Sequence, residues 1–290
     1  MRVGAIFPQT ELGGDVGAVR AYGKGVTGLG YTHLLAYDHV VGADPAVHQG
    51  WAGPYEVATT FHEPFVMFGY LAAVTPIELV TGIIILPQRQ TALVAKQAAE
   101  VDLLTGGRFR LGIGIGWNPV EYEALGQDFS RRGRRMTEQI GLLRTLWTEP
   151  SVTFEGEFDR ITGAGLAPLP VQRPIPIWIG GMSDPAYRRI GQLADGWFPQ
   201  VRPGPDLDHA LDVIGAAAEE AGRDPASIGM EGRVAWDPSD PDRVARQVER
   251  WREAGAGHIT VNTMGTGCDG VDDHLRALEQ TAEATGIRTT

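Results

Sequence analysis

The sequence predicts the α/β class and, within it, a (β/α)8 TIM barrel. Strand-like apolar runs alternate with helix-like runs along the chain, which is the pattern of βα units and a parallel sheet. About eight such units fit into 290 residues, the usual count and length for this barrel. Several strand-like runs end in backbone rich in glycine or proline, and the reactive surface of a barrel lies at those strand ends.

The first units occupy the first half of the chain. Each predicted strand is a short apolar run, and each predicted helix repeats its apolar residues every three or four positions. The strand and helix pairs are 3–7 with 16–29, 33–37 with 64–74, 79–86 with 92–104, and 109–115 with 131–147. After the second strand, residues 42–63 form a long insert rich in Gly, Pro and aromatic residues, which is typical of a lid or binding loop.

The remaining units fill the second half. A small hairpin insert is predicted within residues 150–170, before the fifth strand. Strand 175–179 is followed by helix 185–193, strand 196–199 by helix 207–221, and strands 228–235 and 258–261 each by a further helix. Residues 1–290 are therefore expected to form a single barrel domain.

Residues 108–119, Arg-Phe-Arg-Leu-Gly-Ile-Gly-Ile-Gly-Trp-Asn-Pro, are the most informative segment. Glycine inside a strand marks the close approach of a ligand or of another backbone, and the sequence leaves both explanations open. A dinucleotide-binding open sheet is disfavoured, because the spacing is Gly-x-Gly-x-Gly rather than Gly-x-Gly-x-x-Gly and no helix begins directly after it.

Composition restricts the partners. A formal net charge of -11 and a pI near 5.1 argue against nucleic acid, which requires a basic face. The single cysteine, Cys268, excludes an internal disulfide framework and fits a reducing compartment. No apolar run approaches the roughly 18 residues of a membrane span. We therefore expect a cytoplasmic protein that acts on a small molecule.

The predicted strand ends carry few nucleophiles, and the pair His62-Glu63 matches no zinc signature, so no metal is expected. A site rich in glycine, aromatic and amide groups suits an organic cofactor that carries the chemistry. Asp38 and His39 follow the second strand as candidates for contact with it. Each residue also has a structural alternative. Asp38 would then cap its own loop, and His39 would make a structural hydrogen bond at the barrel rim.

The pair Gly180-Gly181 precedes a helix that begins near Ser183-Asp184-Pro185. Such a segment serves as a turn and helix cap, and it also presents backbone N–H groups that suit a phosphate. The two roles are compatible. If a phosphate binds there, Gly181→Val is expected to weaken binding while leaving the fold largely intact.

Several motifs occur in a fixed order: Tyr37-Asp-His, Gly82-Ile-Ile-Ile-Leu-Pro-Gln-Arg, Leu111-Gly-Ile-Gly-Ile-Gly-Trp, and Ile177-Trp-Ile-Gly-Gly followed by Ala194-Asp-Gly-Trp. From about Met1 to His258 the chain thereby resembles the luciferase-like monooxygenase superfamily, and within it the actinobacterial branch of oxidoreductases that use the deazaflavin coenzyme F420. The resemblance implies a bacterial-luciferase-like (β/α)8 barrel, usually a homodimer, with a flavin or deazaflavin at its C-terminal mouth.

The same resemblance implies which residues hold the cofactor. Asp38 and His39 would lie beside the ring as the catalytic pair, and a non-prolyl cis peptide near Ile84-Ile85 would support the back face of the ring. The cofactor's linker and phosphate would contact two further sets of residues: Ile115, Gly116 and Trp117, and then Gly180, Gly181 and Met182.

F420 is the first choice of cofactor and FMN the alternative. With F420 the protein would transfer a hydride to or from an organic substrate, and with reduced FMN it would activate oxygen as a monooxygenase. A catalytically inactive cofactor-binding protein is a third reading. The sugar-phosphate dehydrogenases of the family carry a catalytic Glu where this chain has Trp117, so glucose 6-phosphate is disfavoured. Three insert residues predict a hydrophobic or planar substrate: Trp51, Tyr55 and Phe61.

Overall fold

The computed structural model describes residues 1–240 and 242–287, which form a closed parallel barrel. The strands in these residues are β1 (Arg2–Ile6), β2 (His33–Ala36), β3 (Glu78–Thr81), β4 (Ile84–Ile85), β5 (Phe109–Gly114), β6 (Val152–Glu155), β7 (Arg160–Ala164), β8 (Ile177–Gly181), β9 (Gly196–Pro199), β10 (Gly229–Ala235) and β11 (His258–Asn262). Nine of these strands form the barrel, in the order β3-β2-β1-β11-β10-β9-β8-β5-β4, and a pairing between β3 and β5 closes it. Because β3 and β4 together fill one strand position, the predicted eight-stranded (β/α)8 barrel is confirmed.

Helices surround the barrel and follow the strands in the βα order that the sequence indicates. In the described residues they are α1 (Gln9–Leu12), α2 (Val16–Gly28), α3 (Pro64–Ala72), α4 (Thr91–Thr105), α5 (Pro119–Ala124), α6 (Arg132–Thr148), α7 (Asp184–Leu193), α8 (Pro205–Glu220), α9 (Asp242–Glu253) and α10 (Val271–Thr285). The short helices α1 and α5 were not expected from the sequence. The strands β6 and β7 pair antiparallel and form a small ribbon outside the barrel, within residues 150–170.

Local side-chain caps set where two of the helices begin. The Asp15 carboxylate accepts a hydrogen bond from the Gly17 N–H at 2.7 Å and caps α2. Glu63 accepts from the Val66 N–H at 2.7 Å and caps α3, whose first residue is proline. This second cap also fixes the end of the 42–63 insert, because Glu63 is its last residue.

The third strand differs from its prediction as one continuous run over 79–86. It leaves the ladder after β3 and resumes at β4, and the non-prolyl cis peptide joins Gly82 to Ile83 rather than lying near Ile84-Ile85. A Cβ at Gly82 would lie 2.2 Å from Leu35 Cδ2, so a larger residue would have to displace the Leu35 side chain at the point where the chain leaves the ladder. The irregular segment therefore begins earlier than the motif suggests.

The glycines of β5 make room for this irregular segment. A Cβ at Gly112 would lie 1.8 Å from the Thr81 carbonyl oxygen, and one at Gly114 would lie 2.7 Å from Ile83 Cδ1. Of the two explanations that the sequence left open, the structure shows the approach of another backbone at Gly112. The alternating glycines thus hold the third strand in its bulged path.

The barrel interior is layered. A small apolar cluster fills its middle, with buried side chains from Ile6, Leu35, Val80, Trp178 and Phe198. The much larger apolar core lies between the strands and the helices and contains most of the buried Leu, Ile and Val residues. The two faces of each strand therefore have different roles. The outward faces provide most of the buried apolar surface, and the inward faces shape the interior.

A charged layer lies in the interior toward the N-terminal ends of the strands. Glu231 is buried, and its carboxylate accepts hydrogen bonds from Arg110 at 2.6 Å and from Thr260, with His33 Nε2 at 3.1 Å. Burial alone would raise the pKa of Glu231, but the neighbouring Arg110 and His33 charges outweigh it and hold that pKa far below its ordinary value. The Arg110 guanidinium also stacks on Trp178, 4.2 Å from the ring centroid.

We predict that Glu231→Gln lowers the free energy of unfolding by about 3 kcal/mol, because it removes the charge that matches a buried arginine. Urea denaturation followed by circular dichroism measures the loss. The matched control is Glu155→Gln, which removes an exposed carboxylate 4.0 Å from Arg160 and should cost less than about 1 kcal/mol. Equal losses in the two variants would show that the Glu231 charge does not stabilise the barrel.

Candidate active site

The C-terminal ends of the parallel strands meet at one rim, and the residues expected to hold a cofactor are distributed around it. Asp38 is buried and has two internal partners. Its Oδ1 accepts a hydrogen bond from Arg89 Nη2 at 2.8 Å, and its Oδ2 accepts from the Ile85 N–H at 3.2 Å. Burial raises the pKa of Asp38 more than the Arg89 charge lowers it. This carboxylate therefore ties the end of β2 to β4.

His39 lies next to Asp38 but has a different environment. Its Nδ1 is 3.2 Å from Glu121 Oε2, so the Nδ1–H donates to that carboxylate and Nε2 is left for a ligand or water. The ring packs between Phe61 at 4.8 Å, Tyr55 at 5.1 Å and Trp117 at 5.6 Å, measured between ring centroids. The structure thus brings His39 together with three other residues that the sequence singled out.

Glu121 is a site residue that the sequence reasoning missed. It is fully buried in the first turn of α5, where Oε1 accepts a hydrogen bond from the Val40 N–H at 2.5 Å. Burial would raise the pKa of Glu121, but hydrogen bonds from His39 and the Val40 N–H outweigh it and lower that pKa. The carboxylate is consequently ionised near neutral pH and can orient the imidazole.

The sequence signal for Glu121 was ambiguous. Asn118 caps α5 by accepting from the Val120 N–H at 3.0 Å, and Glu121 stands three residues later, as in a capping box. In that motif the Glu side chain turns back to the cap residue. Here it reaches the loop after β2 instead, which only the tertiary structure reveals.

A cavity of about 400 Å³ lies between the insert and the barrel rim. Its lining includes His39, Asn118, Tyr55 and Phe61 together with Val40, Val41, Gly42, Glu56, Val57 and Thr59. This volume falls within the range of small-molecule sites, which is roughly 300–1,000 Å³. Of the three insert residues expected at the substrate, Tyr55 and Phe61 line this cavity.

The third residue, Trp51, packs behind the cavity. Its ring lies 5.6 Å from that of Trp117, and its Nε1–H donates to the Tyr55 carbonyl oxygen at 3.0 Å. Trp117 itself is 38% exposed, so part of its ring stays accessible at the rim. Trp51 therefore supports the shape of the insert.

A second, narrower cavity of about 50 Å³ opens at the centre of the barrel mouth. Ile83 and Phe198 form part of its apolar wall, while Tyr37, Gln200 and Arg233 contribute polar groups. The expected cofactor contacts Ile84 and Ile85 are buried, and Gly82 and Ile83 are the residues of the bulge that line this cavity. The break in the strand shifts the alternation of faces, which explains the difference.

The predicted linker contacts beyond β5 adopt a tight turn. Gly116 has φ of 63°, a conformation that favours glycine, and its added Cβ would lie 2.8 Å from Ile85. The Ile115 carbonyl oxygen accepts a hydrogen bond from the Tyr122 hydroxyl at 2.7 Å. These contacts position Trp117 at the rim.

The segment from Gly180 to Ser183 joins β8 to the N-terminus of α7. Met182 is 68% exposed, and the Ser183 side chain makes no capping hydrogen bond, so it leaves the first N–H groups of α7 uncapped. A Cβ at Gly181 would lie 2.6 Å from Ala186 Cβ. The expectation that Gly181→Val leaves the fold largely intact is therefore wrong, because this glycine is needed for the packing of α7.

Two other types of site are absent from residues 1–240 and 242–287. These residues contain no group of three or more His, Cys, Asp or Glu side chains placed to hold a metal ion. None of the helices in those residues combines the length and the apolar character that crossing a bilayer demands.

Comparison with solved structures shows the same fold at low sequence identity. The monooxygenase RslO1 from Streptomyces bottropensis superposes with a TM-score of 0.79 at 19% identity, covering 98% of each chain. The coenzyme F420 dependent tetrahydromethanopterin reductase from Methanopyrus kandleri gives a TM-score of 0.77 at 15% identity, covering 98% of this chain and 97% of the other. Similar barrels therefore occur in proteins of both descriptions.

Sequence comparison gives the family. An uncharacterized protein of Mycobacterium tuberculosis (strain ATCC 25618 / H37Rv), Rv0940c, is 35% identical over 226 residues, which are 77% of each chain. The sequence profile described as luciferase-like monooxygenase matches residues 6–285. The chain belongs to the luciferase-like monooxygenase family, whose members are oxidoreductases and monooxygenases.

Proposed function

We propose that this protein is an oxidoreductase that transfers a hydride between F420 and a small organic substrate at the mouth of the barrel. The observation that carries the proposal is His39, which faces a cavity of about 400 Å³ while Glu121 holds its other nitrogen. When bound, F420 supplies a ring carbon that gives or accepts hydride. The protein then has to bind, orient and balance charge, and these are tasks that the rim residues can perform.

The residues present fit such a cofactor. Apolar side chains of Ile83 and Phe198 line the mouth and suit a planar ring, while the insert supplies further aromatic rings from Tyr55 and Phe61. The uncapped start of α7 after Gly181 offers backbone N–H groups at the positive end of a helix dipole, which suits a phosphate. The site therefore offers places for both a ring and an anionic arm.

His39 is proposed to act at the edge of the ring. Because Glu121 accepts the Nδ1–H, the imidazole is fixed in orientation and Nε2 is the atom that holds or passes a proton. Asp38 is proposed to act indirectly, since both of its oxygens already bind Arg89 and the Ile85 N–H. It holds the loop from which His39 projects.

An FMN-dependent monooxygenase is the second candidate. The structural similarity to RslO1, described as a monooxygenase, is as close as that to the F420 dependent reductase. An inactive cofactor-binding protein is a third candidate, and cofactor retention without turnover across a substrate panel would favour it.

The homodimer stays a prediction. Four exposed apolar side chains on α3 and α4 form a possible dimer interface: Val66, Tyr70, Leu93 and Leu104. Light scattering would measure the oligomeric state.

The cofactor is tested by incubating the purified protein separately with F420 and FMN, desalting it and recording absorbance spectra. We expect F420 to bind in the micromolar range or tighter, with FMN at least about tenfold weaker, a difference of about 1.4 kcal/mol. Fluorescence titration gives the two dissociation constants. FMN binding as tight as F420 binding would favour the monooxygenase instead.

The phosphate position is tested with Ser183→Asp. Asp caps a helix as well as Ser does and is favourable at a helix N-terminus, so the fold should be kept. A carboxylate on the same N–H groups should repel a bound phosphate and weaken F420 binding more than about tenfold, or by at least 1.4 kcal/mol. Ser183→Asn is the uncharged control and should bind like wild type. Unchanged binding by Ser183→Asp would place the phosphate elsewhere.

The role of His39 is tested with His39→Ala and a confirmed substrate. We expect turnover to fall about a hundredfold, within the usual range for a positioned acid or base, while the dissociation constant of the cofactor changes much less. Glu121→Gln keeps a hydrogen-bonding side chain but loses the charge, and its turnover should fall between those of wild type and His39→Ala. Turnover of His39→Ala within threefold of wild type would reduce His39 to a structural role.

A further inference from the structure

Arg233 occupies the mouth of the barrel on the inward face of β10. Alternate residues of a strand share one face, and Glu231 on this strand points into the charged interior layer. Arg233 is two residues further along, so it stands one layer higher, at the C-terminal end where ligands bind. It lines the narrow central cavity together with Ile83 and Phe198.

The partners of Arg233 are neutral. One guanidinium nitrogen donates to the Tyr37 hydroxyl at 3.2 Å, and another lies 3.4 Å from Gln200 Oε1. Within residues 1–240 and 242–287, no carboxylate lies within 4.0 Å of this guanidinium. Arg110 in the interior and Arg89 at the rim do have such partners, whereas Arg233 is exposed at the mouth. Arg233 thus carries an unmatched positive charge.

The planar geometry of the Arg233 guanidinium determines which anions can pair with it. It has five N–H donors in a planar fork, and the two neutral contacts leave most of them free. Glu231 is the other charged residue that lines the cavity, but its carboxylate already pairs with Arg110 at 2.6 Å. An anion in the cavity would therefore meet a free fork of donors, with the Tyr37 hydroxyl beside it.

The field of this cation extends toward the insert. Burial and the nearby Tyr37 raise the pKa of Tyr55, and the Arg233 charge opposes them. Tyr55 also lines the larger cavity beside His39. The insert residue Tyr55 therefore lies within the electrostatic influence of Arg233.

We propose that Arg233, Tyr37 and Gln200 form a carboxylate-binding subsite, and that the substrate is an organic acid with an apolar or planar body. The assignment to a substrate rests on the proposed function, because an anionic group of the cofactor has the same chemistry. Bidentate recognition by Arg233 would fix one end of the acid, while its apolar part would extend toward the insert residues Tyr55 and Phe61, which line the larger cavity. Neutral alcohols and alkanes would lack this anchor.

The test uses simple probes and the whole 290-residue chain, with and without bound cofactor. Benzoate and hexanoate are compared with the neutral benzamide and hexanamide by isothermal titration and thermal shift. Wild type should bind at least one carboxylate about tenfold or more tightly than its amide. Arg233→Gln should remove that preference, and Arg233→Lys should keep part of it, because lysine retains the charge but not the fork.

Arg243→Gln is the matched control, since Arg243 is a surface arginine that pairs with Asp237 at 2.7 Å. It should keep the wild-type preference. The melting temperature of each variant checks that Arg233→Gln is folded, and its affinity for F420 and FMN shows whether the cofactor uses the same group.

Three outcomes would overturn the proposal: wild type binds none of the probes, it binds acids and amides equally, or Arg233→Gln keeps the preference. A loss of cofactor affinity of tenfold or more in Arg233→Gln, with carboxylate binding unchanged, would assign the subsite to the cofactor and overturn it as a substrate site. Failure of wild type to retain either cofactor would contradict the proposed function alone, because carboxylate binding is measured separately.

Discussion

The close approach of β3 and its bulge to the glycines of β5 is the constraint on which the site depends. With any larger residue at Gly112 or Gly114, the Thr81 carbonyl or the Ile83 side chain would be displaced. This approach directs Ile83 into the mouth and brings the Ile85 N–H to Asp38. The rim of β2 and the path of the third strand are therefore fixed together, and a change in one would move the other.

Two buried carboxylates at this rim are kept apart by their partners. Asp38 pairs with Arg89, which also binds Glu63 at 3.1 Å and so connects the rim to the start of α3. Glu121 pairs with His39. Because Arg89 already neutralises the first carboxylate, the second is the one that acts on the imidazole. Of the two neighbouring residues after β2, Asp38 therefore belongs to a structural ion pair, whereas His39 faces the cavity.

The sequence predicted the architecture well because βα alternation and strand length are local properties. It also identified the residues around His39, since Tyr55 and Phe61 were chosen by type and by their place in the insert. It missed the start of the bulge, because the exit of the strand at Gly82 depends on space that Leu35 leaves on a neighbouring strand. Glu121 and Arg233 were missed for a related reason. Each is a single charged residue, and its role depends on contacts with residues that are distant in the sequence.

The charged layer of Arg110, Glu231 and His33 has a consequence for the order of events. These buried side chains fill the interior near the N-terminal ends of the strands, so ligands reach the barrel from the rim. A cofactor and a substrate would then use a common entrance. If the two were bound one above the other, the deeper one would have to bind first and leave last, which would impose a compulsory order on binding and release.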